Sequence, residues 1–274
     1  MKGFNCLVVI SIILGVTLLA CDKIDGIDKI DDPMYPKIND PMYPTTIYRL
    51  SEEKILQMRS DFAQRNPDVN VLTTINQFGF CAFGDAGGVN TQPGGFTEQE
   101  ALAAAKEFVA HNPDYTGVSD PNNLKFRNIS STTNNNNTVF WHFITENQVV
   151  NDIEVYNTEI VFHTQNNKLV SCYGNNFPEI YVPENFNFDI ERAKLQLLGR
   201  EVIISGWGGP MNLGKVKAKD LQGSAADLKI VPQISEEKTE LRVTWKISVN
   251  TMPYVFYVDV MTGEIIAEGQ TIIA

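Results

Sequence analysis

Apolar and polar residues alternate between residues 149 and 173 in a way that predicts two β-strands joined by a tight turn. The dipeptide Asn166-Asn167 suits the turn, because Asn tolerates a positive φ better than other residues except Gly. A second strand-turn-strand pattern closes the chain, with strands at 255–260 and 264–267. In the first pattern one strand face is apolar at the period of two, broken by a single threonine: Tyr156, Thr158, Ile160 and Phe162.

Three segments carry apolar residues at helical spacing, and each follows a residue that can cap a helix. The clearest opens with a capping-box pattern, Thr97 and Glu100, and extends to His111. Its predicted buried stripe is Ala101, Leu102, Ala105, Phe108 and Val109. The other two segments run from Ser51 to Asn66-Pro67 and from Asp189 to Gly199.

Strand patterns fill most of the remaining chain and follow the helices rather than alternating with them. Each half opens with a helix and continues into antiparallel hairpins, without the strand-helix-strand order of a parallel sheet. The fold class is therefore expected to be α+β, with two units that each pack a helix on an antiparallel sheet. The predicted strands lie at 69–83, 124–128, 138–145, 201–205, 228–233, 241–249, 254–260 and 264–273.

The N-terminus has the features of a bacterial lipoprotein signal peptide. Residues 1–20 combine a short basic start with an apolar run that ends in Leu-Leu-Ala before Cys21. This resemblance implies cleavage before Cys21, lipid attachment to that residue, and a place in the cell envelope at the outer membrane, on its periplasmic face or on the cell surface. An ordinary secretory signal and a short N-terminal helix are the alternatives.

Residues 21–46 are predicted to form an acidic, proline-rich tether. Acidic residues recur through 22–32, and Asp-Pro-Met-Tyr-Pro is then repeated at 32–36 and 40–44, so the segment is expected to be extended. Acidic residues directly after the lipidated Cys resemble the surface-export signal of Bacteroidetes lipoproteins, and a plain tether is the alternative. The net charge of -11 for the 274 residues argues against a nucleic-acid partner.

The closing hairpin resembles a PepSY domain, with its cystatin-like fold. The features that carry the resemblance are the hairpin at 254–266, the strand at 241–247 and the helix at 188–198. Upstream, the helix at Thr97 and the hairpin at 151–173 resemble the fungalysin/thermolysin propeptide domain, which precedes PepSY in thermolysin-like zinc peptidases. The resemblance implies a propeptide-like domain at 47–183 and a PepSY-like domain at 184–274. This chain has Asn-Asp-Ile-Glu at 151–154, where the family often has Gly and Pro.

Enzyme motifs are absent from the sequence. A thermolysin-like zinc site needs two His four residues apart on a helix, with a Glu between them. The three histidines, His111, His142 and His163, have no such spacing, so no metal, cofactor or catalytic residue is predicted. The segment Gly209-Pro-Met-Asn-Leu-Gly-Lys215 approaches a phosphate-binding loop but has Val216 where Ser or Thr is needed, and it is expected to be a surface loop.

A few residues outside these motifs are candidates for binding or for structure. Trp207 lies in a Gly-rich segment and either contacts a sugar or peptide or covers the core. Cys81 and Cys172 lie in strand-like contexts, where buried free thiols are favoured over a disulfide. The turn of the closing hairpin is expected to be structural, because an Asp can bond local backbone N–H groups. The turn residues are Asp259, Thr262, Gly263 and Glu264.

Two functions follow as hypotheses. The first is a lipid-anchored, non-enzymatic module that binds a secreted or surface metallopeptidase in trans, as an inhibitor or folding helper, through a sheet edge or hairpin loops. The second is a surface module of a nutrient-uptake system that binds glycans or peptides through Trp207. A purely structural role in the envelope is a third alternative.

Overall fold

The structure, a computed structural model, describes residues 38–67, 74–84, 94–165, 167–206 and 209–270. Its helices are α1 (Glu52–Arg65), α2 (Glu98–His111), α3 (Pro113–Thr116), α4 (Ile190–Leu195) and α5 (Ala218–Leu221), with a 3-10 turn at Pro121–Asn123. Its strands are β1 (Thr45–Tyr48), β2 (Thr74–Ile75), β3 (Cys81–Gly84), β4 (Phe126–Thr133), β5 (Val139–Thr145), β6 (Val149–Val150), β7 (Ile153–Val155), β8 (Val161–Gln165), β9 (Lys168–Tyr173), β10 (Glu201–Gly206), β11 (Gly209–Lys215), β12 (Ala226–Ile234), β13 (Lys238–Val249), β14 (Tyr254–Asp259) and β15 (Ile265–Gln270).

The strands form two main sheets and a separate hairpin. The N-terminal sheet has six strands in the order β2-β3-β9-β8-β5-β4, and all of its pairs are antiparallel. The C-terminal sheet has seven strands, in the order β15-β14-β13-β12-β7-β6, with β1 beside β13. Its only parallel pair among the described residues is β12 with β7. Strands β10 and β11 form the hairpin. The fold class is α+β, as predicted.

The N-terminal core lies between one face of the six-stranded sheet and the helices α1 and α2. Phe143 and Phe162 contribute from the sheet, and Phe62 and Phe108 contribute from the helices. Both helices begin at the predicted caps. The Lys54 N–H donates to Ser51 Oγ, and the predicted capping box at Thr97 is present, which satisfies N–H groups that the first helical turn leaves free. The opposite face of this sheet, called the outward face below, points away from these two helices.

The C-terminal core packs the helices α4 and α5 on the seven-stranded sheet. Helix α4 begins at the predicted cap, where the Arg192 N–H donates to Asp189 at 2.8 Å. Buried residues of the sheet and of both helices form one cluster, which includes Ala193, Leu221, Ile247 and Phe256. Two units that each pack helices on a mostly antiparallel sheet are therefore present, as predicted.

The predicted long strand between residues 149 and 165 is wrong, because the chain crosses here from one sheet to the other. Strands β6 and β7 form a small hairpin whose turn residues, Asn151 and Asp152, have positive φ of 50° and 62°. After β7 the chain turns at Asn157 (φ 58°) and enters β8 in the other sheet. Tyr156 therefore packs on Tyr257 of the C-terminal sheet, whereas Phe162 lies in the N-terminal core.

Two further expectations differ from the observed topology. Residues 209–215, predicted to be a surface loop, form the strand β11 and pair with β10, although most of them are exposed. The sheets also do not divide at residue 183, because β1, β6 and β7 belong to the C-terminal sheet. The assignment of 47–183 and 184–274 as separate domains stays a prediction.

Candidate functional site

The strand β4 forms an exposed edge of the N-terminal sheet. It pairs on one side with β5, no other described strand pairs with it, and every residue in it except Phe126 is exposed. Edge strands usually carry charges or proline that prevent pairing with other chains. In β4 the only charged residue is Arg127, which pairs with Glu159 at 2.8 Å, and residues 128–133 contain neither a charge nor a proline. This edge therefore leaves main-chain donors and acceptors open to an added strand.

A row of polar side chains crosses the outward face beside this edge. Ser130 on β4 lies opposite His142 on β5, which lies opposite His163 on β8, and His163 lies opposite Ser171 on β9. The neighbouring residues of these strands, such as Phe143 and Phe162, point into the core. Because strand side chains alternate between faces, the row belongs to the outward face of the sheet.

The two histidines in this row are in contact. Their ring centroids are 4.5 Å apart, and His163 Nδ1 lies 2.5 Å from Ser171 Oγ. The His142 Nε2 atom is buried and has no hydrogen-bond partner. Burial and the neighbouring His142 lower the pKa of His163 to about 4, and burial lowers the pKa of His142. Both imidazoles are therefore neutral near pH 7.

A buried charge network lies at the turn of the closing hairpin. Asp259 is fully buried, and its Oδ1 accepts from the N–H groups of Met261 and Thr262 at 2.7 and 2.9 Å. Its Oδ2 accepts from Arg242 and from the hydroxyl of Tyr43, both at 2.9 Å. Burial and the charge of Asp259 raise the pKa of Tyr43 well above its ordinary value, so the phenol stays protonated as a donor.

The same network fixes the end of the predicted tether to the folded part. Strand β1 pairs with residues 238–241 of β13, and β14 pairs with residues 244–249 of the same strand. Arg242 and Asp259 lie at the junction where the partner of β13 changes. Two hydrogen bonds further upstream also attach this segment to the folded part. The Ile38 N–H donates to Asn187 Oδ1 at 2.8 Å, and Tyr181 Oη donates to Asp40 at 2.6 Å.

The other members of the predicted turn lie around Asp259. The Glu264 carbonyl accepts from the Asp259 N–H at 2.8 Å, and the Glu264 N–H donates to Thr262 Oγ1 at 3.2 Å. Gly263 has a φ of +73°, and a Cβ at this position would lie 2.4 Å from the ring of Phe188. This turn needs Gly for its backbone conformation and for space.

The remaining predicted residues differ in where they lie. Cys21 and Trp207 are outside the described residues, so lipidation at Cys21 and ligand contact at Trp207 stay predictions. Cys81 and Cys172 are free, buried thiols, as favoured. Burial and, to a lesser extent, a hydrogen bond with Cys81 raise the pKa of Cys172, so the Cys172 thiol does not resemble an activated nucleophile.

Across the described ranges, no group of three or more side chains among His, Cys, Asp and Glu is placed to hold a metal ion together. In the same part of the chain, every helix is too short or too polar to span a bilayer.

The contact of His142 with His163 and the link from Tyr43 to Asp259 were not predicted from the sequence. The only signal for the histidine pair was that both residues lie in strand patterns.

Comparison with known proteins identifies no family for this chain. No protein-family model matches the chain, and no curated protein matches it. Among solved structures, the chain is similar to the C-terminal domain of YpeB from Bacillus megaterium, with 9% sequence identity. The similarity covers 81% of this chain and 98% of that chain, with a TM-score of 0.28.

Proposed function

We propose that this protein is a lipid-anchored, PepSY-like, non-enzymatic module that binds an extended segment of a secreted or surface peptidase in trans at strand β4. One observation carries the proposal, namely that β4 is a long, exposed edge without charges or proline over residues 128–133. An extended segment adds to such an edge through main-chain hydrogen bonds, while alternate side chains contribute specificity.

The character of the edge favours a polar extended segment as its ligand. Four of the exposed β4 side chains carry hydroxyl groups: Ser130, Ser131, Thr132 and Thr133. Hydroxyls both donate and accept, so they suit a segment that presents polar side chains at alternate positions. Binding here would hold a partner segment extended without cutting it, which is the behaviour of an inhibitor or folding helper.

The contacts of Tyr43 and β1 support a role for the anchor. A lipid on Cys21 would leave residues 22–37 as a spacer before Ile38, the first described residue, whose N–H donates to Asn187. At about 3.3 Å per residue, such a spacer reaches roughly 50 Å when extended. The module would therefore meet partners in a layer close to the membrane rather than throughout the surrounding fluid.

The experiment compares soluble protein, residues 22–274, with two edge variants, Ser131→Pro and Thr132→Pro. Successive N–H groups on a strand alternate in direction, so one proline removes an outward donor and the other breaks a hydrogen bond to β5. Thermal melting identifies the variant that keeps its fold. That variant is expected to lose complex formation with, and inhibition of, secreted metallopeptidases from the same organism.

Three outcomes decide between the proposals. Loss of binding in the stable proline variant supports β4 as the site. If the stable variant still binds the peptidase, the contact lies on another surface. If the protein forms no complex with any secreted peptidase, the proposed function is contradicted. The glycan-binding alternative would instead give signals on a glycan array that disappear in Trp207→Ala.

A further inference from the structure

The contact between His142 and His163 has the geometry of a chelating pair. The two residues are directly opposite on the neighbouring antiparallel strands β5 and β8. Opposed side chains on such strands have Cβ atoms roughly 5 Å apart, and the strands hold that separation without cost at the moment of binding. Both histidines are of intermediate burial and lie on the outward face of the sheet.

The separation of the rings fits a shared ion. Zn²⁺ binds imidazole nitrogen at about 2.0 Å, so two imidazoles on a tetrahedral ion have ring centres roughly 5 Å apart. The observed distance between the His142 and His163 centroids is 4.5 Å, with the ring planes tilted by 55°. A small rotation of either side chain makes up the difference.

The surroundings of each ring leave a nitrogen for a ligand bond. His163 Nδ1 lies against Ser171 Oγ, and a metal-binding His commonly uses its second ring nitrogen for such an orienting hydrogen bond. His142 Nε2 has no hydrogen-bond partner, although a buried polar atom without one is costly. An ion bound to this nitrogen would satisfy it.

We propose that His142 and His163 form a two-histidine site for a borderline divalent transition-metal ion, such as Zn²⁺, Ni²⁺ or Cu²⁺. Imidazole nitrogen suits these ions, whereas Mg²⁺ and Ca²⁺ need oxygen ligands that the pair does not provide. Water or a donor from a partner completes the coordination. The site is independent of peptidase binding, and it can be present whether or not β4 binds a partner.

The test is calorimetric titration of residues 22–274 with ZnCl₂ and, separately, MgCl₂ at pH 7.5. The wild type is expected to bind one Zn²⁺ with micromolar affinity and to show no heat with Mg²⁺. His142→Gln and His163→Gln should each weaken Zn²⁺ binding at least tenfold. His111→Gln is the matched control, because His111 is exposed on helix α2 and its Nδ1 lies 2.8 Å from the Glu107 carbonyl oxygen. This variant should bind Zn²⁺ as the wild type does.

A second measurement covers the case in which a variant fails to fold. Electron paramagnetic resonance of the wild type with one equivalent of Cu²⁺ is expected to show coupling to two imidazole nitrogens. Coupling to a single imidazole, an absence of saturable Zn²⁺ binding, or unchanged affinity in folded His163→Gln would each overturn the proposal.

Discussion

Tyr43 and Asp259 are separated by 216 residues and are joined by a 2.9 Å hydrogen bond. The phenol donates to the carboxylate oxygen that also accepts from Arg242. This contact connects the end of the predicted tether to the turn of the last hairpin. The described fold therefore begins at residues that the repeat pattern assigned to a tether, and a truncation at residue 46 would remove part of it.

Tyr43→Phe tests this connection with a minimal change. The variant keeps the ring but removes the donor to Asp259, and loss of one hydrogen bond to a charged group costs about 1.5–3 kcal/mol. The free energy of unfolding, measured by urea denaturation of residues 22–274, is expected to fall by that amount. Tyr48→Phe is the control, because Tyr48 is 69% exposed, and an equal loss in both variants would contradict a specific role for Tyr43.

Asp259→Asn is expected to be more damaging than Tyr43→Phe. The change leaves the partly buried guanidinium of Arg242 with Glu240 as its one remaining carboxylate partner among the described residues. Breaking a buried ion pair typically costs about 3–5 kcal/mol. Urea denaturation of the single variants Asp259→Asn and Arg242→Met and of the double variant Asp259→Asn/Arg242→Met gives the coupling energy between Asp259 and Arg242. Additive losses in the double variant would show that the pair does not act as a unit.

Gly263→Ala combines backbone strain with a steric clash. A left-handed φ costs an L residue about 1–2 kcal/mol, and the new Cβ would also press into the ring of Phe188. Gly223→Ala is a matched control, because Gly223 has a φ of +66° with no atom within 4 Å of the added Cβ. Thermal unfolding should show a larger loss for Gly263→Ala, and equal losses would exclude the clash.

The Glu154 and Lys229 ion pair, 2.7 Å long, predicts a pH dependence of stability. The hydrogen bond from Lys229 lowers the pKa of Glu154 below its ordinary value. A depressed carboxyl pKa stabilises the fold above the unfolded-state pKa, and this contribution is lost as the pH falls through the folded-state pKa. At pH 7 the wild type is therefore expected to have a higher urea midpoint than Glu154→Gln. This difference should shrink below about pH 4. A difference that stays constant down to pH 3 would contradict this assignment.

Local signals in the sequence were sufficient for the helices α1, α2 and α4 and for most strands, but not for the short helices α3 and α5. The caps at Ser51, Thr97 and Asp189 begin α1, α2 and α4 where predicted, because a cap depends on side chains only three residues away. Strand patterns likewise predicted β5 to within one residue, and they predicted β13 except for its first three residues. The α+β class followed from the order of these elements.

Only the tertiary structure decided which strands share a sheet. The period of two is the same for residues in either sheet, so it could not show that the chain changes sheets after Val155. The links from Tyr43 to Asp259 and from His142 to His163 likewise depend on pairing between strands that are distant in sequence. Such pairing is set by the burial of whole sheet faces, a property of the assembled core that no local pattern contains.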